Sequence, residues 1–155
     1  MQRLAIKVLR RTLQLYWRKT RALTMGAQGV VLTSDNRVLL VRHTYRPGWH
    51  FPGGGVEKHE TAQTALRREL HEEAGVELAG RPELFGLYAN FKAFPCDHIA
   101  LFVVRDWRQP VVPQPNREIA EHRFAALDNL PEGTVSTVQQ RLDEILGNAE
   151  RQEQW

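Results

Sequence analysis

The chain has 155 residues, enough for one domain with its own core, and its 42% apolar and 25% charged content excludes disorder, collagen-like repeat or coiled coil over the whole length. One cysteine, Cys96, excludes an intrachain disulfide or a multi-thiolate zinc site and points to a reducing compartment, the cytoplasm; no apolar run approaches the ~18 residues that span a bilayer. Net charge is +3, but residues 1–25 carry 7 of the 21 basic residues and no acid, which leaves 14 basic against 18 acidic in the rest and excludes a uniformly basic surface.

Residues 3–20 lack Gly and Pro and suit a helix. Ala5, Ile6, Leu9, Leu13, Tyr16 and Trp17 share one face, and Arg3, Lys7, Arg10, Arg11 and Arg18 a neighbouring arc. Four uses stand open for this basic amphipathic leader, residues 1–24. It packs on its own domain or a second copy, binds an anionic membrane surface, contacts RNA or other nucleic-acid phosphates, or is a cleaved organellar presequence. Charges interrupt every stretch that would read as a secretory signal.

The body, residues 25–146, opens with a strand at Gly26–Thr33 and turn residues at Ser34–Asn36. Arg37–His43 reads as the returning strand of a hairpin. A loop dense in Pro and Gly follows at 46–55. Thr61–Ala74 is a helix, with Gly75 placed for a left-handed cap. Strands are expected at Leu84–Phe91 and His98–Arg105, a proline-rich loop at Gln109–Asn116, a strand at Glu118–Ala125 and a closing helix at Val135–Leu146. The polar segment 147–155 is expected to fray. Strands on both sides of a helix, without steady βαβ alternation, give an α+β class.

The chemistry gathers in residues 53–76. On a helix, Glu69, Glu72 and Glu73 stand at i, i+3 and i+4, so their carboxylates share a face and repel one another. A divalent cation would resolve that repulsion. Oxygen-only ligands select Mg²⁺ or Mn²⁺ over zinc, and Mg²⁺ held this way is usually completed by substrate phosphates. Gly53, Gly54 and Gly55 allow close backbone approach, and Arg68 can pair with Glu60 or brace Glu69. The bland alternative is a charged surface helix after a turn.

The complete spacing resembles the Nudix box, G-x5-E-x7-R-E-U-x-E-E-x-G-U, with U a bulky aliphatic residue. Gly54, Glu60, Arg68, Glu69, Leu70, Glu72, Glu73, Gly75 and Val76 fill every fixed position. At residue usages near 7%, seven exact identities arise by chance far less than about once in a million positions. His59 stands where Gly is common, outside the fixed pattern.

The resemblance implies a Nudix fold, a mixed β-sheet sandwiched between α-helices, here with an extra N-terminal amphipathic helix. It implies hydrolysis of a nucleoside diphosphate linked to another moiety, with Mg²⁺ or Mn²⁺, by water attack on phosphorus. Glu72 and Glu73 would be the main metal ligands, Glu69 a further ligand or the base, the Gly53 carbonyl a ligand, and Arg68 the group that orients Glu69. A further acid from the second half is expected at Glu118, with Glu121 close behind. Arg42, His43 and Arg46 are candidates for phosphate, and Tyr45, Trp49, Phe51, Tyr88 and Phe91 for a base. For the aromatics, core packing is the competing use. His71 and His122 read as exposed bystanders, and Cys96 as a small packed residue. The partners expected are a nucleotide-type substrate, a membrane surface or RNA at the leader, and a second copy of the chain. Rival readings are a non-catalytic nucleotide-binding or sensor module, an isoprenoid-diphosphate isomerase with Cys96 as its thiol, and a peripheral membrane or nucleic-acid protein built around the leader.

Overall fold

The computed structural model describes residues 22–155; the expected leader helix and its assigned contacts lie outside them. The strands are β1 (Thr24–Val31), β2 (Arg37–His43), β3 (Gly53–Gly55), β4 (Glu77–Leu78), β5 (Glu83–Ala89), β6 (Asp97–Val104), β7 (Trp107–Arg108) and β8 (Ile119–Ala126). The helices are α1 (Ala62–Ala74) and α2 (Ser136–Ile145).

A four-stranded sheet has the order β3-β1-β6-β5. Its β1–β6 pair is parallel and its other pairs antiparallel, so the sheet is mixed. β2 pairs with β8, and β4 with β7, in two small antiparallel sheets. The apolar runs of β2 and β6 have both faces covered. Val30, Val38, Leu40, Leu101 and Val103 pack with Val138 and Leu142 of α2. Ala27, Val31, Leu39, Ala100, Phe102 and Val104 pack with Ala65, Leu66, Leu70 and Ala74 of α1. The period-2 alternation of each strand thus feeds two apolar layers, one beneath each helix.

The expected hairpin between β1 and β2 is corrected. Thr33 and Arg37 close the turn through the Thr33 amide and the Arg37 carbonyl, 2.9 Å apart, and Leu32 bridges Val38. The strands then separate, because both edges of β1 are taken by β3 and β6, leaving β2 to pair with β8. Turn residues dictate a reversal of direction; distant partners decide the pairing.

α1 begins where Thr61 Oγ1 accepts a hydrogen bond from the Thr64 amide at 3.1 Å. It ends at Gly75, whose φ of 65° is left-handed and whose amide donates to the His71 carbonyl at 2.9 Å. A Cβ at Gly75 would stand 2.1 Å from the Val111 carbonyl oxygen. Gly75→Ala is therefore expected to destabilise by at least about 1–3 kcal/mol, read as a lower urea midpoint with unchanged slope.

Two further expectations are corrected. Cys96 is exposed, with a φ of 63°, in the turn between β5 and β6. The segment expected to fray is docked: the Ala89 amide donates to the Glu153 carbonyl at 2.8 Å and the Trp155 amide to the Ala89 carbonyl at 2.9 Å. Trp155 also meets Tyr88 edge-on, with ring centroids 5.6 Å apart. The physical reason is a buried ion pair on α2, Arg141 and Glu144, each of which makes a hydrogen bond to the backbone of this segment.

Candidate active site

β3 and α1 build the site together. Gly53 pairs with Gln28 and Gly54 with Ala27, which presses the glycine strand against β1. A Cβ on Gly53, at φ 143°, would come 2.2 Å from the Ala27 carbonyl oxygen. A Cβ on Gly54 would come 2.4 Å from Glu69 Oε1. Only glycine lets the strand lie between β1 and the carboxylates of α1.

Arg68 then locks the loop to the helix. Its Nε and Nη2 donate to the two oxygens of Glu60 at 3.2 and 3.1 Å, Nη1 donates to Glu69 Oε1 at 2.6 Å, and Nη2 also reaches the Gly55 carbonyl at 3.0 Å. Hydrogen bonds from Arg68, first, and from the Glu57 amide hold the Glu60 carboxyl below its usual pKa. Arg68 in turn is raised, by its bond to Glu60 first and to Glu69 second. Glu69 keeps a raised pKa in spite of its arginine, because burial outweighs the pairing.

Glu73 is the most buried acid of the group, 4% exposed. Its Oε2 accepts from the Gly53 amide at 2.7 Å. Burial pushes its pKa up to about 8, with Glu69 and Glu118 adding to the rise and the Gly53 amide and Arg46 opposing it. His43 Nε2 lies 3.7 Å from Glu73 Oε1. That contact is not an ion pair at neutral pH, since burial, with Arg46 and His50 after it, lowers the His43 pKa to about 4. Neutral His43 instead stands 2.6 Å from Arg46 Nη2 through Nε2, accepting from the guanidinium, and its buried Nδ1 has no partner among the described residues. Glu72 is more open, its side chain 59% exposed and 3.6 Å from Arg68 Nη1.

A cleft of about 460 Å³ collects Glu69, Glu72 and Glu73 from α1 with Asn116–Ile119 from the segment before and into β8. Asn116 Oδ1 accepts from the Glu118 and Ile119 amides, each at 2.8 Å, and so fixes the turn that presents Glu118. The β2–β8 register slips at this point: Arg42 faces Glu121, but His43 faces Ile119. That bulge re-aims the strand end beside the acids. A nitrogen of His43 and carboxylate oxygens of Glu73 and Glu118 lie within 4.8 Å of one another. Glu121 is engaged on the outer face by Arg42 at 3.0 Å and by Arg123.

These residues fit a hard divalent cation on the chemistry of the donors. Four carboxylates converge on one cleft whose lining, among the described residues, holds a single cation, Arg117, and neighbouring Arg68 is committed to Glu60 and Glu69. A carboxyl forced toward its protonated form by burial is a site short of positive charge.

The substrate candidates separate. Arg46 and Tyr45 line a second cavity of about 490 Å³, which Gly53, Gly54 and Gly55 also line. Phe51 backs its wall but is fully buried. Trp49 is corrected to a core residue, covered by the guanidinium groups of Arg42 and Arg123 at 5.4 and 4.5 Å from its ring. Arg42 is occupied by Glu121 and is absent from the cavity wall. Tyr88 is buried, its hydroxyl donating to Glu144 Oε2 at 2.8 Å, and Phe91 is exposed beside His98. His71 is exposed; His122 is half-buried, against expectation, because β8 packs it in the β2–β8 sheet opposite Val41. Asn116 and Trp155 were missed. Asn116 sits two residues before Glu118, an Asx-turn signal; Trp155 is a large apolar residue closing an otherwise polar segment.

Comparison with known proteins agrees with this architecture. The model of the NUDIX domain matches residues 23–145. A MutT-like protein of Streptomyces ambofaciens is 37% identical over 67 residues, 43% of this chain and 43% of that protein. An RNA pyrophosphohydrolase of Pseudomonas savastanoi pv. phaseolicola is 46% identical over 50 residues, 32% of this chain and 31% of that protein. The chain thus spans less than half the length of these curated relatives. The crystal structure of a MutT NUDIX hydrolase from Burkholderia pseudomallei shares the fold, with a TM-score of 0.67 at 23% identity over 80% of this chain and 98% of that one. A domain match that runs from β1 to the end of α2, around a glycine strand fitted to the carboxylates of one helix, establishes that the chain belongs to the Nudix family.

Proposed function

We propose that this protein is a divalent-metal-dependent pyrophosphohydrolase of the cytoplasm, cleaving a phosphoanhydride bond in a nucleoside diphosphate linked to another moiety. The observation that carries the reading is the cleft that gathers the carboxylates of Glu69, Glu72 and Glu118 around the buried Glu73. Glu72, Glu73 and Glu118, which line the carboxylate cleft, would hold Mg²⁺ or Mn²⁺, with the carbonyl of Gly53, whose amide bonds Glu73, as a further ligand. When bound, such an ion neutralises diphosphate charge and makes water more acidic. Arg68 fixes Glu69 through Oε1, which leaves Oε2 to take the proton of the attacking water; the raised Glu69 pKa suits a base of that kind. Arg46, held by His43 between the acids and the 490 Å³ cavity, would meet a phosphate. The relatives named as MutT-like protein and RNA pyrophosphohydrolase support the reaction class. The isomerase reading is weakened, because Cys96 lines neither cavity.

The test is release of phosphate or pyrophosphate from nucleoside triphosphates, dinucleotides, nucleotide sugars and triphosphorylated RNA. Activity on at least one class should need Mg²⁺ or Mn²⁺ and vanish with chelator, and Arg46→Ala should raise KM. No release from any class leaves the non-catalytic nucleotide-binding module as the reading.

The raised Glu73 pKa also sets the pH dependence of metal-free stability. The folded protein holds this proton more tightly than the unfolded chain, so stability is fully present below the unfolded value of 4.5 and lost as pH rises toward about 8. Mg²⁺ competes with the proton for the same oxygens. The rise in Tm on adding Mg²⁺ should therefore grow over this interval, as differential scanning calorimetry would show.

A further inference from the structure

The 490 Å³ cavity has one wall that the box does not supply. Trp155 lines it, together with Tyr45, Arg46, Gln28, Asn90 and Thr137. Trp155 arrives there because its segment adds to the edge of the main sheet. Ala89 at the end of β5 bonds to Glu153 and Trp155 on either side of Gln154, in a parallel bridge. Arg141 Nη1 donates to the Gln154 carbonyl at 2.9 Å, and Glu144 Oε1 accepts from the Gln152 amide at 3.0 Å. The indole is then fixed from behind. Tyr88 meets it edge-on at 5.6 Å, and the Arg141 guanidinium lies 5.6 Å from its centroid. Trp155 remains partly exposed, bordering this cavity on one side and a cleft with Arg141, Glu144 and Gln152 on another.

We propose that Trp155 is a specificity-determining residue that stacks on the nucleobase of the substrate. The inference rests on the hydrolase reading, which places the diphosphate at β3 and Arg46. Gly53 and Arg46, which that reading gives to metal and phosphate, also line this cavity, so a group linked to the diphosphate can extend into it. The wall it meets combines a rigid aromatic face with the uncharged polar side chains of Gln28, Asn90 and Thr137, which is the chemistry that receives a planar heterocycle with hydrogen-bonding edges. Asp97, also on the wall, has its oxygens engaged by Thr24 Oγ1 at 2.7 Å and Asn90 Nδ2 at 2.8 Å, so it orients Asn90 and is not left as a free anion against the substrate. A pre-held ring loses little freedom on binding.

The test is calorimetric titration of the full chain with the four nucleoside 5′-monophosphates and with ribose 5-phosphate, for the parent, Trp155→Ala and Trp155→Phe. The parent should bind at least one monophosphate roughly tenfold or more tighter than ribose 5-phosphate. Trp155→Ala should lose that preference while ribose 5-phosphate affinity holds, and Trp155→Phe should keep a substantial part of it. Hydrogen exchange at the Ala89 amide, bonded to Glu153, reports whether the segment is still docked. A parent without base preference overturns the proposal, and so does a Trp155→Ala protein that keeps it. Loss of preference in both variants together with loss of Ala89 protection also overturns it, assigning Trp155 to the clasp alone. Base-selective binding without hydrolysis of any phosphoanhydride would instead sink the catalytic reading and leave this one standing.

Discussion

Glu73→Gln is expected to lower kcat on the order of 10²- to 10³-fold, about 3–4 kcal/mol of barrier, without weakening the metal-free fold. The reason lies in what the carboxyl does in each state. Near neutral pH the buried Glu73 is largely protonated, its pKa lying near 8. A glutamine reproduces that neutral group and its amide oxygen still accepts from the Gly53 amide, the contact that ties α1 to β3. Above about pH 8 the variant should be the more stable protein, since it has no proton to lose in a site that resists charge. Two further readouts follow. The rise in Tm on adding Mg²⁺ should nearly disappear, and the fall in stability from about pH 5 to about pH 8 should flatten. Activity that falls while stability holds or rises is the signature of a residue kept for chemistry. A variant with parental turnover and a parental Mg²⁺ response would remove Glu73 from the site.

Much of this site was legible because its geometry is local. Glu69, Glu72 and Glu73 share one helix face by the 3.6-residue period alone, and Thr61 and Gly75 mark the ends of that helix. The glycine run was readable as a place of close approach, but not as a strand, since glycine carries no side-chain signal for β structure. Its pairing is imposed by Gly26, Ala27 and Gln28 across the sheet. Glu118 was reachable as a candidate and Glu121 could not be separated from it. The separation comes from a bulge that turns the strand end, and from Arg42 and Arg123, which engage Glu121 on the outer face. Trp49 and Phe51 stood as base-binding candidates against core packing, and their position in the chain could not decide between the two. Their burial depends on α2, a partner some 85 residues downstream in the chain. Local chemistry is written in short spacings; which aromatic faces a cavity is decided by contacts that no spacing encodes.

Glu144→Ala is expected to destabilise the protein by about 3–5 kcal/mol, the largest loss expected from a substitution remote from the carboxylate cleft. Arg141 is 1% exposed and Glu144 8%, and they pair at 2.7 Å on α2. A surface helix pair of this spacing would contribute a few tenths of a kcal/mol. Here the guanidinium lies over the Tyr88 ring, 4.3 Å from its centroid, with no second carboxylate among its described partners. Removing Glu144 strands that charge in an apolar layer, takes the acceptor from the buried Tyr88 hydroxyl and frees the Gln152 amide. The double variant Arg141→Leu with Glu144→Leu should recover part of the loss, because the stranded charge goes with it. It should not recover the docking of residues 152–155, which need the Arg141 and Glu144 side chains as their partners. Urea unfolding of the single and double variants separates the two contributions, and hydrogen exchange at Ala89 follows the docked segment independently. If the single variant lost less than about 1 kcal/mol, the pair would be behaving as a solvated surface contact, and the segment that carries Trp155 would have to be held by its backbone bonds to β5 alone.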